Sequence, residues 1–464
     1  MTVDPSAAGR DAVLGAGALG LTVALRLAQA GRSVTVFERE PLPGGLAAGF
    51  EVAPGIWLEK FYHHLFRSDR QAIALIEELG LGDELKWHRP ITATLRDGRR
   101  WQLDSPLSLL RFGPLPLPDR LRMGVVLAGL RALPRPSPLE GRTAQAWIRR
   151  WMGSAAERVV WGPLLEGKFG AAAPEIALPW FWARVHDRTP ELGYLRGGFQ
   201  QVYAALAKAV EAAGGELRFG TAVERVEPAG GASVAGSAGG SGSSADGGGS
   251  SGFVVRLTDG SSSGFARVVS TLPTRLTARL VPALPDGWRA RYDWGRAYGA
   301  HCLILALDRP LTGDIYWLNV NDPGYPFMAL VEHTNLRPPA EYGGRHLVYL
   351  GNYRPMDDPI FSRLKDDLVA EAAAALTRLA PDFGPERIVE SWAFAAPFAQ
   401  PIVTTDYRQH IPPFATPLAG LSLANMFQVY PHDRGQNYSI ALAERLAARL
   451  TYEAGARSRI PRLT

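Results

Sequence analysis

Residues 13–38 read VLGAGALGLTVALRLAQAGRSVTVFE, and the spacing inside this stretch decides the fold. Gly15, Gly17 and Gly20 form G-x-G-x-x-G directly after an apolar run. An amphipathic run from Leu21 to Ala30 follows, and Gly31 closes it as a C-cap. The order is strand, tight turn, helix. The first glycine permits the turn, the second lets backbone approach a pyrophosphate, and the third packs helix on strand, so that the helix N-terminus faces the phosphate charge. A second β-like run, Ser33 to Phe37, delivers Glu38 18 residues beyond Gly20, where a carboxylate accepts hydrogen bonds from ribose hydroxyls. Strand, glycines, helix, strand and acid in register predict a dinucleotide fold. The plainer alternative is a glycine-rich turn with a surface glutamate.

The apolar start does not read as a secretion signal. It is preceded by Asp4, Arg10 and Asp11 and broken by glycines and Arg26, and no window offers the ~18 uninterrupted apolar residues of a membrane span. With 464 residues, 46% of them hydrophobic, the chain buries a large core and by length suggests more than one domain. One cysteine, Cys302, excludes an intramolecular disulfide framework and a cysteine-rich metal site, so a reducing cytoplasm is the expected compartment. No metal-ligand spacing stands out, and nothing points to an obligate protein partner. The net charge of +5 is uneven: Ser105 to Arg150 holds Arg111, Arg120, Arg122, Arg131, Arg135, Arg142, Arg149 and Arg150 against Asp119 and Glu140. Apolar runs share this segment. It reads either as a solvated face over a core or as a band for an anionic membrane surface or anionic substrate, giving a peripheral membrane contact. No recognition motif accompanies the charge, so nucleic acid is not an expected partner.

Residues 230–252, GGASVAGSAGGSGSSADGGGSSG, have a composition that buries nothing and are expected to be disordered. The flanks, LRFGTAVERVEP and FVVRLTDGSSSGFARVVSTLP, read as consecutive strands, which makes the insert a hairpin tip rather than a domain linker.

The residues after Glu38 separate flavin from nicotinamide dinucleotides. Arg39 to Phe50, REPLPGGLAAGF, places Gly44 and Gly45 just after the second strand. This resembles the flavin amine oxidase superfamily, which includes monoamine oxidases, protoporphyrinogen oxidases, phytoene desaturases and UDP-galactopyranose mutases. The resemblance implies FAD contacts from Gly15, Gly17, Ala18, Leu19, Gly20, Glu38, Arg39, Gly44, Gly45 and Leu46. Tyr194 to Glu227 is similar to the family's return to the FAD domain, with Val223 where backbone meets adenine. Ala266 to Pro273 resembles the strand that closes the nucleotide-binding sheet. Gly420 to Leu450 resembles the last strand and helix, whose N-terminal amides, at Gln436 and Asn437, sit near the flavin pyrimidine and favour the charge of reduced flavin. No cysteine lies in the C-terminal part, so the FAD is expected to be noncovalent.

The implied fold class is α/β: a Rossmann-like FAD-binding domain of the glutathione-reductase type, with an interleaved substrate domain containing a mixed sheet and helices. Residues 1–60, 190–285 and 395–464 are expected to build the first, 61–189 and 286–394 the second.

Two stretches are similar to UDP-galactopyranose mutases. Lys60 to Asp69, KFYHHLFRSD, matches a segment that brings a histidine to the flavin, with His64 in that place. Tyr325 to Asn335, YPFMALVEHTN, matches another that ends in Glu-His, but the mutases carry a diphosphate-binding arginine where this chain has Ala329. The candidate catalytic residues are His64, Lys168, His333 and Arg434. His64 orients flavin, exchanges a proton, or is a hydrogen-bonded core histidine, and His333 carries the same alternatives. Lys168 lies near flavin N5, binds a substrate anion, or snorkels at the surface. Arg434 clamps an anionic group or the FAD, or pairs structurally with Asp433. The expected function is an FAD-dependent oxidoreductase transferring hydride between flavin and a small-molecule substrate, amine, porphyrin-like or isoprenoid-like. A redox-neutral sugar-nucleotide mutase and a non-catalytic binding protein of the Rab escort type are the alternatives. The latter needs no flavin, and the complete glycine and Glu38 pattern counts against it.

Overall fold

In the computed structural model, residues 9–229, 252–293 and 295–458 are described. The strand Arg10–Leu14 lies at the centre of a five-stranded sheet ordered Glu216–Arg218, Ser33–Phe37, Arg10–Leu14, Arg267–Ser270, Leu421–Leu423, with every pairing parallel. A parallel sheet is covered on both faces, so its strands are apolar without alternation: Ala12, Val13 and Leu14 are buried, as are Val34, Val36 and Phe37. The charged exception, Asp11, is fully buried beneath the guanidinium groups of Arg32 and Arg267, while the polar Thr35 and Ser270 are also buried.

The helix Ala18–Gln29 covers one face with Leu19, Leu21, Val23, Leu25 and Leu27, packed against the helices Gln200–Ala212 and Gln436–Ser458. Gly31, at φ +76°, ends it as expected, its N–H donating to Ala28 O at 2.9 Å. The other face is covered by an antiparallel meander, Val223–Ala229, Gly252–Leu257 and Ser262–Phe265, which buries Val226, Phe253, Val255 and Phe265. The first two strands pair up to Ala229 opposite Gly252, which puts the glycine–serine segment at a hairpin tip; the disorder expected for it falls on 230–251, outside the described residues. The strand expected to close the sheet does not: Arg267–Ser270 is interior, and Leu421–Leu423 forms the edge.

A second, mixed sheet has seven strands in the order Ile388–Pro401, Ala297–Leu307, His346–Arg354, Ala329–Glu332, Ile315–Val320, Ile91–Arg96, Arg99–Gln102. Along Ala297–Leu307 the two-residue period sorts side chains cleanly. Leu303, Leu305 and Leu307 join the core under the helix Lys365–Leu379, and Cys302, Ile304 and Ala306 join the core shared with the first sheet. Ile388–Pro401 runs unbroken through the 394/395 boundary drawn from sequence, and Leu192–Leu195, inside 190–285, pairs with Leu65–Phe66 and Leu85–His88 in the other part.

A third layer is helical. Pro106–Leu110, Leu117–Ala132, Ala144–Trp151, Gly162–Phe169 and Leu178–His186 share a core of Phe112, Met123, Ile148, Phe169, Trp180 and Phe181. Leu117–Ala132 buries only Met123 and Leu130, which leaves Leu121 and Val125 exposed on it. Among the described residues, no helix is long and apolar enough to cross a membrane.

Candidate functional site

A cavity of about 1800 Å³ begins at the carboxyl ends of the parallel strands, passes between the two sheets and opens beside the helix Leu117–Ala132. Its first end is the glycine turn. Gly15 sits at φ +101°, and a Cβ on Gly20 would lie 1.9 Å from Gly15 O, so helix and strand are too close there for any side chain. Gly44, at φ +123°, folds back on this turn, its N–H donating to Ala16 O at 2.9 Å, and a Cβ on Gly45 would meet Gly17 Cα at 3.4 Å. Gly17 is different. Its φ is −76°, and a Cβ there would find nothing nearer than 4.0 Å. The protein itself does not require glycine at 17, which is what a cradle for an external phosphate leaves behind.

Ala18 and Leu19, the first residues of the helix, border the cavity, as do Arg39, Leu46 and Val223. Glu38 Oε2 accepts from Ala16 N at 2.8 Å and Oε1 from Glu40 N at 3.0 Å. A carboxylate has about four acceptor directions, so capacity remains for hydroxyls. Arg39 is 72% exposed and pairs with Glu40 at 3.1 Å. At the opposite wall stands the N-terminus of Gln436–Ser458. Tyr203 donates to Gln436 Oε1 at 2.6 Å, while Gln436 Nε2 is buried with no hydrogen-bond partner, a donor facing a cavity that lacks its acceptor. The Asn437 side-chain oxygen is committed elsewhere: it accepts from the Gln71 and Ala72 amides and caps the helix Arg70–Glu78.

Three of the four candidate catalytic side chains meet in this cavity. His64 packs edgewise on Phe66 and Trp317, 3.3 Å from Tyr316 OH, and burial lowers its pKa to about 3, so it is neutral at physiological pH. Lys168 is buried rather than at the surface, with Nζ 2.6 Å from Asp433 Oδ2. Arg434 bonds Gln400 Oε1 and, at 2.9 Å, Tyr353 OH. The ion-pair partners of Asp433 are Lys168 and Arg184, at 2.7 Å, instead of Arg434. Burial alone would raise the Asp433 carboxyl, but Lys168, Arg184 and Arg434 together hold it well below the usual carboxylate range. The Lys168 ammonium is pushed down by burial and by the two guanidinium groups.

His333 is not part of this group. It is 3% exposed, lies outside the cavity and bonds Tyr342 OH at 2.6 Å between aromatic rings, which is the core-histidine alternative. Ala329 is also outside the cavity, fully buried in its strand, so its methyl group says nothing about the charge the cavity offers. Besides Lys168 and Arg434, that charge comes from Arg184, near the end of the aromatic helix LPWFWARVH, and Arg188, two residues past it, both of which sequence reasoning passed over. His63 was also passed over. It lines the cavity beside His64, with Nδ1 2.6 Å from Phe61 O and a pKa lowered to about 4 by burial.

A glycine cradle at the end of a parallel sheet, an acid after the second strand and a long cavity between two sheets define a dinucleotide-dependent α/β enzyme. The chain belongs to the flavin-containing amine oxidoreductase family, whose model matches residues 20–432. It is accordingly an FAD-dependent oxidoreductase. It is similar to a putative protoporphyrinogen oxidase from Exiguobacterium, with a TM-score of 0.73 and 15% identity over 97% of this chain and 100% of that one. It is also similar to a reduced UDP-galactopyranose mutase, with a TM-score of 0.72 and 15% identity over 95% of each chain. At such identity the likeness is one of fold. A 15-cis-phytoene desaturase from Synechococcus elongatus is 37% identical over 78 residues, 17% of this chain and 16% of that protein, so the match spans about a sixth of the curated relative.

Proposed function

We propose that the enzyme moves hydride between its flavin and a hydrophobic organic substrate, isoprenoid-like or porphyrin-like, that enters beside Leu117–Ala132. The observation behind this reading is the continuity of one cavity from the glycine cradle to an apolar mouth. Leu109, Leu121, Val125, Leu127 and Leu164 line that end, and Leu121 and Val125 are 53% and 74% exposed. A hydrophilic sugar nucleotide would gain little from such a lining, which weighs against mutase chemistry. A protonated amine would meet Lys168, Arg184, Arg188 and Arg434, while the carboxylates there are engaged, Asp433 by Lys168 and Arg184, Asp187 by His432 and His186, and Asp69 by the Phe66 amide, so amines are the least suited of the three substrate classes.

Bound flavin supplies the hydride chemistry. The chain supplies placement. The Gly15–Gly20 turn and the amides of Ala18 and Leu19 would hold the pyrophosphate, and Glu38 would take the ribose beside Arg39, Gly44, Gly45 and Leu46. Val223 would lie toward the adenine, and Gln436 Nε2 with the helix terminus at Gln436 and Asn437 would receive the pyrimidine. Neutral His64 orients the ring system, while Trp317, Tyr353 and Trp180 keep water out. Attachment is noncovalent: Cys302 is buried outside the cavity, and burial pushes its thiol pKa up. Two interleaved parts, with the last boundary moved to the end of Ile388–Pro401, frame the cavity.

The exposed apolar stripe is the proposed contact with an anionic membrane. Leu117, Leu121 and Val125 recur every fourth residue on one helix face, Leu107 and Leu110 lie beside them in sequence, and Arg111, Arg122 and Arg131 are exposed on the same segment. Anaerobic mixing of the oxidised holoenzyme with polyenes, porphyrinogens and amines, alongside UDP-galactopyranose with the dithionite-reduced enzyme, tests the function. Bleaching of the flavin by a hydrophobic compound is expected. Bleaching by amines alone, or ring-contracted sugar from the reduced enzyme with no substrate bleaching the oxidised one, would overturn it.

A further inference from the structure

Arg188 lines the cavity beside Arg184 and Asp187, and among the described residues neither a hydrogen bond nor an ion pair is found for it. Its guanidinium carbon stands over the Phe66 ring, 5.8 Å from the ring centre. It is exposed to the cavity although protein surrounds it, and Arg184 beside it, then burial, lowers its pKa to about 9. The neighbouring cations are already engaged: Lys168 and Arg184 share Asp433, and Arg434 is held by Gln400 and Tyr353. Two further carboxylates line this end: Asp187 is taken by His432 at 2.6 Å, His186 at 3.0 Å and Tyr438 at 2.9 Å, and Asp69 accepts from Phe66 N at 2.8 Å, its carboxyl pushed up to about 6 chiefly by burial. A guanidinium facing another guanidinium in a shielded cavity is unfavourable until an anion joins them.

We infer that Arg188, with the free edge of Arg184, is an oxyanion subsite, and that the substrate is an amphiphile whose hydrophobic body lies along the cavity while a carboxylate or phosphate is gripped at its inner end. A planar guanidinium matches either group through two parallel N–H donors. The inference rests on the proposed hydrophobic substrate and narrows it: an unfunctionalised hydrocarbon would leave Arg188 uncompensated.

Dodecanoate, dodecyl phosphate, dodecanol and inorganic phosphate, below micelle-forming concentrations, are titrated into holoenzyme and followed by tryptophan fluorescence and the oxidised flavin spectrum. Dodecanoate or dodecyl phosphate is expected to bind at least about tenfold more tightly than dodecanol. The tighter of the two identifies the oxyanion. In Arg188→Gln that preference should fall to near one with dodecanol binding and FAD content unchanged, and Arg188→Lys should keep part of it. Equal affinity for acid and alcohol, a preference that survives Arg188→Gln, or inorganic phosphate binding as tightly as dodecyl phosphate would each overturn the subsite. So would loss of FAD from Arg188→Gln, which would make the arginine a cofactor ligand. Because the readout is equilibrium binding, failure of the hydride-transfer reading would leave this ratio intact.

Discussion

Gly17→Ala and Gly20→Ala make a matched pair whose outcomes separate a ligand requirement from a packing requirement. In Gly20→Ala the new Cβ would start 1.9 Å from Gly15 O, with Thr271 Oγ1 at 3.1 Å, and real Cβ atoms essentially never approach closer than 3.0 Å. About 1.1 Å of separation must therefore come from the backbone of the turn or from a helix whose inner face is wholly buried. Overpacking of this kind costs roughly 1–3 kcal/mol in the apoprotein. The same shift moves the amides at the helix start. If two charge-assisted hydrogen bonds to the pyrophosphate are lost at roughly 1.5–3 kcal/mol each, FAD binds about 10²- to 10⁴-fold more weakly. In Gly17→Ala the Cβ meets nothing within ordinary contact distance and φ is −76°, so apoprotein stability should stay within about 0.5 kcal/mol of the parent, while the methyl fills the space through which the phosphate approaches. Urea unfolding of both apoproteins and fluorimetric titration with FAD measure the two quantities separately. Retention of FAD affinity within threefold of the parent in Gly17→Ala, or a Gly20→Ala apoprotein as stable as before, would refute the division of roles.

Removing the shared counter-ion in Asp433→Asn leaves the buried Lys168, and the half-buried Arg184, without their carboxylate and should destabilise the protein by about 3–5 kcal/mol by urea unfolding; a loss under 1 kcal/mol would mean the cluster is solvated. Acid should unfold the protein in part through His333. Its pKa falls from the ordinary 6.5 to about 3 in the fold, so the unfolded chain binds a proton that the native state refuses, and stability present above pH 6.5 is lost as pH falls toward 3. His333→Gln should flatten the stability profile between pH 4 and 6 by about 1.4 kcal/mol per pH unit, and an unchanged slope would contradict the buried neutral imidazole. Val125→Glu with Leu121→Glu should abolish salt-sensitive sedimentation with anionic vesicles without altering FAD content. Equal binding of parent and variant would leave the stripe without a role at a membrane.

The local half of the fold was readable because its determinants are local. Val13 to Glu38 contains a strand, its turn, a helix with its C-cap and a second strand, and Ser33–Phe37 falls where the β-like run was drawn. The glycine–serine segment is recognisable by composition alone, and its flanking strands pair as a hairpin. The reacting end was legible only in pieces. Lys168 and Asp433 are 265 residues apart, and Arg184 and Asp433 249, so no window of sequence contains the cluster. His64 and His333 looked alike as Glu- or His-flanked polar residues in apolar stretches. What separates them is that one borders a cavity and the other packs against Tyr194 and Tyr342, a tertiary fact. Asn437 was placed correctly on the helix terminus, yet its side chain went to cap a helix from the far side of the chain. Ala329 marks a missing arginine at one position, but the cavity's cations come from elsewhere: Lys168 and Arg184 from two helices, Arg188 just past the second, and Arg434 before the last helix.

The meander on the parallel sheet offers a practical handle. Val223, at the start of its first strand, borders the cavity, whereas Ala229 and Gly252 face each other at the other end of the same strand pair. Chain length between those two positions is thus uncoupled from the nucleotide end of the hairpin, and closing a longer or shorter loop there changes the entropy only logarithmically. Residues 230–251 can be exchanged for a two-residue turn, a fluorescent reporter or an affinity tag while the register that aligns Val226 with Val255 is kept.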